Sequence, residues 1–264
     1  VDSGGGGAAG VNGGRVYTPT RSDAKGANTT VEPEFSILWP NGISMLNARL
    51  TSRKKTILDR LVDYTDQIEA TLNQFANAPI QAVAFGCTGA SYLIGQKKEA
   101  EICARIEKNR GIPFVTAARA VTDSLNALSA KSIGLVSPYP SNLTEVSVNY
   151  WQNAGFKVKE VASAFNNESK FHPIYSLQAE SSAEALQSLK NKNIDAIVML
   201  GTGMPTLQPI LDCANWDGAP VTSCMLSLAW RTVLYLDNQL PSAENMLAWC
   251  GGATWYQRMS NSNN

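Results

Sequence analysis

Cys87 follows the apolar run Ile80-Gln-Ala-Val-Ala-Phe-Gly86 and precedes Thr88, Gly89 and a long amphipathic stretch. Read as strand, tight loop and helix, that order puts a thiol where unpaired N–H groups and the helix dipole favour anions. The same field is expected to lower the thiol pKa and to offer donors to a carboxylate. Thr88 adds a hydroxyl, and Gly89 is read as letting the backbone approach a ligand closely. Thiol chemistry on a small anion is the expectation. Of the other cysteines, Cys103 and Cys213 fall inside helical patterns and read as packing residues, and nothing marks Cys250. Cys224 ends the run Val221-Thr-Ser-Cys224 and is read as lining the same cleft. No CxxC spacing links the five, so they read as reduced thiols of a cytoplasmic protein rather than a disulfide frame.

The single histidine, His172, lies in Phe171-His172-Pro173, a turn-like surface context. It limits any Ser-His-Asp triad to that one position and rules out zinc sites built on two or three histidines. No metal-ligand cluster, no GxGxxG after a strand and no lysine in a cofactor setting is present, so neither metal nor cofactor is expected.

Short apolar runs alternate with longer amphipathic ones along the chain. The periodicity predicts strands at 15–18, 44–50, 80–86, 114–116, 132–137, 196–200 and 221–222. It predicts helices at 56–75, 91–108, 121–128, 145–153, 182–190 and 225–236. Such βαβα alternation implies parallel sheets covered by helices, with ligands at the carboxyl ends of the strands.

The chain also resembles itself. Ile80 to Gly89 matches Ile194-Asp-Ala-Ile-Val-Met-Leu-Gly201-Thr202-Gly203, Val16-Tyr-Thr-Pro19 matches Val136-Ser-Pro138, and Pro113-Phe-Val-Thr116 matches Pro220-Val-Thr222. Three pairs in one order imply a duplicated α/β lobe, residues 15–120 plus 226–264 forming the first and 121–225 the second. Residues 1–14, with Gly4 to Gly7, read as a flexible extension. Duplication sets the loops Cys87-Thr88-Gly89 and Gly201-Thr202-Gly203 on opposite walls of one cleft. Gly201 then leaves room where a second side chain would stand.

Composition narrows the partners. Lysine plus arginine equal aspartate plus glutamate at 22 each, so no basic excess exists to grip a nucleic acid. Apolar residues make up 44% of the 264 and support a real core. No apolar run reaches the roughly 18 residues of a membrane span, and no basic-then-apolar leader opens the sequence. A homo-oligomer is compatible with all of this.

Cys87-Thr88-Gly89 after its strand, Asn28-Thr29-Thr30-Val31-Glu32-Pro33-Glu34-Phe35, Trp39-Pro-Asn-Gly-Ile-Ser44 and Ser137-Pro138-Tyr139 together resemble the aspartate/glutamate racemase superfamily. They are most similar to its maleate cis–trans isomerase and arylmalonate decarboxylase branch. The resemblance implies two flavodoxin-like lobes with the active site between them and Cys87 as nucleophile. It implies Asn28 and Tyr139 as groups holding the substrate carboxylates, with a further asparagine at Asn167 or Asn166. The superfamily's second cysteine belongs where this chain has Gly201. The decarboxylases keep their one cysteine on the second lobe, so this chain is their mirror case.

A pair of thiols on opposite faces, as racemisation needs, is therefore absent. The expected activity is cofactor-independent cis–trans isomerisation of a maleate-like dicarboxylic acid through the Cys87 thiolate. Donors on the loops of Thr88 and Thr202, with Asn28 and Tyr139, would hold its carboxylates. Decarboxylation of an arylmalonate with Cys87 as proton donor is the alternative, and a carboxylate-binding relative without turnover is the third reading.

Overall fold

The structure, a computed structural model, describes residues 30–165, 174, 177 and 179–262. The expected strand at 15–18, the extension 1–14, Asn28, Asn166, Asn167 and His172 lie outside the described residues.

Every described strand pairs in parallel. β1 (Val83–Phe85) pairs with β2 (Phe114–Thr116). In a second sheet β3 (Ser132–Ser137) lies between β4 (Lys157–Ser163) and β5 (Ala196–Met199), and β6 (Val221–Ser223) follows β5. β3, β5 and β6 are buried along their whole length, and β5, Ala-Ile-Val-Met, reads as a continuous apolar run. β4 alternates exposed and half-buried positions on the edge of its sheet. Its charged Lys157, Lys159 and Glu160 suit an edge strand and hide it from an apolar-run search.

The helices are α1 (Val31–Leu38), α2 (Ile57–Leu72), α3 (Thr88–Arg110), α4 (Ala117–Ala127), α5 (Ser141–Asn153), α6 (Ala179–Gln187), α7 (Leu207–Asp212), α8 (Cys224–Leu236), α9 (Ala243–Cys250) and α10 (Tyr256–Ser262). None of them is long and apolar enough to cross a membrane. Caps decide where several begin. Thr56 accepts from the Asp59 N–H at the head of α2, and Ser242 forms a capping box with Asn245 at α9.

One expected strand is absent. Residues 44–50 run as irregular backbone, with Ala48 and Leu50 buried but no ladder to another of the described residues. Apolar spacing alone cannot make a strand without a partner for its N–H and C=O groups.

β1–β2 and β5–β6 have the same build. Phe85 pairs with Thr116, and Met199 with Ser223. Thr116 caps α4 by accepting from the Arg119 N–H, and Ser223 caps α8 by accepting from the Leu226 N–H. α4 and α8 then pack on each other through Ser124 Oγ and Ser227 Oγ, 3.1 Å apart, and through Arg231 Nε on Asp123, 2.7 Å.

Candidate active site

Cys87 is the N-cap of α3, with φ −147° and ψ 85°, and its sulfur accepts from the Ala90 N–H. The residue keeps some exposure, yet burial pushes the thiol up to about 11, against the lowering effect of that N–H. This reverses the lowered thiol expected from the strand–helix junction. The cause is desolvation: burial of the sulfur outweighs the one N–H that favours its ionised form.

Thr88 is almost wholly buried, and its Oγ1 lies 3.4 Å from the Tyr139 hydroxyl. Tyr139 follows β3 in a loop held by Thr144, whose hydroxyl donates to the Tyr139 carbonyl at 3.1 Å. The Tyr139 N–H donates to Ser137 Oγ at 3.3 Å. Its ring meets Tyr92 edge-on at 6.2 Å. The third wall is the loop after β5. Thr202 Oγ1 donates to the Gly86 carbonyl at 2.9 Å, tying that loop to the residue before Cys87. Cys87, Thr88, Tyr139, Gly201 and Thr202 are thus brought together.

Two glycines are closely packed. A Cβ on Gly89 would lie 3.1 Å from Leu61 Cδ1 and 3.9 Å from Leu143 Cδ2. Gly89 therefore leaves Leu61 close to the backbone where α3 packs on α2. Gly201 has φ +82°, and a Cβ there would stand 2.9 Å from Pro138 Cγ and 3.2 Å from the Tyr139 hydroxyl. The space expected at Gly201 is already taken, by Pro138 and Tyr139.

Cys224 does not line an open cleft; it is fully buried. Burial pushes its thiol up to about 11, against the Thr88 hydroxyl, the Gly201 N–H and the Tyr92 hydroxyl that favour the ionised form. Its sulfur is a wedge beneath Thr88 and Gly201. Its place directly after β6 was the one sequence signal for this. Cys103 and Cys213 are buried helix-side residues, as expected.

α1 docks on the same region. Thr30 Oγ1 donates to the Gly203 carbonyl at 2.9 Å, tying the head of α1 to the second loop. Buried Glu34 accepts from the Thr206 N–H at 2.6 Å, the Thr206 hydroxyl at 3.0 Å and the Leu207 N–H at 3.3 Å, completing the start of α7. Burial nevertheless raises its carboxyl to about 7. Trp230 on α8 is core, donating to Asn245 Oδ1 at 2.9 Å. Trp39 stacks on Phe35 and lines a groove of about 790 Å³, none of whose lining residues belongs to the Cys87 site.

The family model described as arylmalonate decarboxylase matches residues 24–253, which include this whole constellation. The chain belongs to the arylmalonate decarboxylase family. Among relatives, the maleate isomerase of Geobacillus stearothermophilus is 28% identical over 173 residues, 63% of this chain. The match spans 66% of that protein, just under two thirds of its length. Two solved structures share the fold. One is a Nocardia farcinica maleate cis–trans isomerase mutant with a covalently bound succinylcysteine intermediate, at TM-score 0.70 and 23% identity, covering 80% of this chain and 89% of that one. The other is an arylmalonate decarboxylase, at TM-score 0.63 and 17% identity, covering 77% and 86%. As in these family structures, the architecture is α/β with parallel sheets.

Proposed function

We propose that this arylmalonate decarboxylase family member is a cofactor-independent cis–trans isomerase of a maleate-like dicarboxylic acid, acting through Cys87. The observation that carries the reading is a thiol at the β1–α3 junction, next in the chain to Thr88 of the hydroxyl pair Thr88–Tyr139, with glycine on the matching loop. The likeness to maleate isomerases, one of which holds a succinylcysteine, supports a thiol that adds to the double bond. Tyr139 and Cys87 are the catalytic pair in this reading. Asn28, Thr88, Gly89, Asn167, Gly201 and Thr202 belong to the substrate-binding set, with Gly89 acting through packing.

At pH 7 a thiol with pKa about 11 is ionised in roughly one molecule in ten thousand, so Cys87 waits as S–H. Its sulfur bonds C2 of the diacid as its proton leaves for a carboxylate or water. The electron pair of the double bond moves into the far carboxylate as an enediolate. Tyr139 hands a proton to C3, giving a succinyl thioether about a C2–C3 single bond, which turns. Return of the C3 proton to Tyr139 and cleavage of the carbon–sulfur bond release the trans acid and restore the thiol. N–H groups and hydroxyls aimed at the enediolate supply the stabilisation.

The two-lobe plan is part of the same reading. The matching registers and caps of β1–β2 and β5–β6 support an internal duplication with the active site between residues 15–120 plus 226–264 and residues 121–225. They match Cys224 with Ala117, one residue from the sequence alignment.

One observation favours the alternative, decarboxylation of an arylmalonate. A buried thiol held in its protonated form is the state a proton donor needs. Incubation with maleate and, separately, with phenylmalonate, each followed by NMR, separates the two. Fumarate from maleate supports the isomerase; phenylacetate alone supports the decarboxylase; neither, in folded protein, sinks both.

A further inference from the structure

α2 brings to the Cys87 loop a side chain that no motif singled out. The buried stripe of this helix is Leu61, Tyr64, Thr65, Ile68 and Leu72. Leu61 and Tyr64, three residues apart, are neighbours on one face. Leu61 Cδ1 lies 3.1 Å from the point a Gly89 Cβ would occupy, so this face of α2 covers the loop Cys87-Thr88-Gly89.

Tyr64 is 1% exposed, and its hydroxyl has no hydrogen-bond partner. Burial, and next the Cys87 sulfur within electrostatic reach, hold its proton on; Asp63 acts in the same direction, and Arg60 and Arg49 oppose them. A buried O–H without an acceptor is unfavourable, and folded proteins keep few of them. The Thr88 and Tyr139 hydroxyls, by contrast, have each other. A protonated phenol of this kind, within electrostatic reach of a thiol that works on a dianion, is a donor in want of a charged acceptor. Carboxylate oxygens accept such bonds most strongly.

We propose that the Tyr64 hydroxyl is a substrate-binding donor that hydrogen-bonds a carboxylate of the dicarboxylic acid held at Cys87, an inference that rests on the dicarboxylate reading of the site. It places a further donor on α2, outside the three loops that the motifs mark.

The test compares the full chain with Tyr64→Phe in three measurements: calorimetric titration with succinate, which has no double bond to react; turnover of maleate; and thermal melting. The succinate Kd and the maleate KM are expected to rise about tenfold or more, the effect of losing a hydrogen bond to a charged group. The melting temperature should hold or rise, since phenylalanine removes only an unpartnered hydroxyl. A folded variant with the parent's succinate affinity overturns the proposal and leaves the isomerase reading untouched. So does a variant that melts far below the parent or does not fold, because the hydroxyl then has a structural partner. A parent that binds succinate without isomerising maleate overturns the isomerase reading, while the titrations still decide Tyr64. A parent that binds no dicarboxylate overturns both.

Discussion

The Tyr139 hydroxyl lies 3.2 Å from where a Cβ on Gly201 would be, so the tyrosine occupies the place a side chain on the second loop would take. Gly201 also has φ +82°, a conformation that side chains rarely adopt. Gly201→Ala should therefore cost about 1 kcal/mol for its backbone alone, and more for the contact with Pro138 Cγ. It should also push Tyr139 off Thr88 and lower kcat more than it raises KM. Thermal melting and maleate turnover check this, and a variant matching the parent in both would mean Tyr139 is free to move aside. Gly201→Cys meets the same obstacle and is not expected to supply a working second thiol.

Cys87→Ser should fold like the parent and lose turnover by on the order of a thousandfold or more, the scale on which removal of a nucleophile acts. Serine's hydroxyl is far less ionised than a thiol near neutral pH. Cys103→Ser and Cys213→Ser should retain most of kcat, since both sulfurs are buried packing groups. Near-normal turnover in Cys87→Ser, with any substrate the parent accepts, excludes the thiol mechanism.

The raised thiol has its own signature. Only the thiolate reacts with iodoacetamide, so the alkylation rate of Cys87 should climb about tenfold per pH unit and level off only near pH 11. Mass spectrometry of the Cys87 peptide over a pH series reads this directly. A plateau below pH 8 would show that the helix N-terminus, not burial, sets the thiol.

Glu34 links stability to pH. Its carboxyl is raised from 4.5 to about 7 in the folded chain, so the folded state binds the proton more tightly than the unfolded one. The stabilisation this contributes is fully present below pH 4.5 and is lost as pH rises through about 7. The shift corresponds to about 3 kcal/mol at most. Glu34→Gln keeps an acceptor for the Thr206 N–H but cannot ionise. Denaturant unfolding of the parent between pH 5 and 8 should show a fall in stability that the variant lacks. Equal pH profiles for the two proteins would rule out this linkage.

Several elements are legible in the residues themselves. β2 and β3 match their apolar runs at both ends, because strands buried on both faces leave an unbroken signal. α1 was not foreseen: Pro33 in its first turn reads as a breaker, although the early N–H groups of a helix need no partner inside it. The segment 44–50 has the spacing of a strand and no ladder among the described residues. β4 has the ladder, with a polar edge that conceals it.

For the site, local order in the chain was enough to put a thiol between a strand and a helix, and a glycine at the matching point of the second loop. Those positions follow from short-range patterns of apolar runs and loop residues. What encloses the thiol is another matter. Thr88 and Tyr139 are 51 residues apart in sequence, and Thr202 reaches Gly86 across 116. Cys224 beneath Thr88 and Gly201, and Tyr64 over the Cys87 loop, are likewise products of how helices settle on two sheets. A thiol's ionisation depends on the sum of desolvation and nearby donors, and that sum exists only once the chain has packed. The residues chose the chemistry available at Cys87; the tertiary structure decided its protonation state and which hydroxyls stand around it.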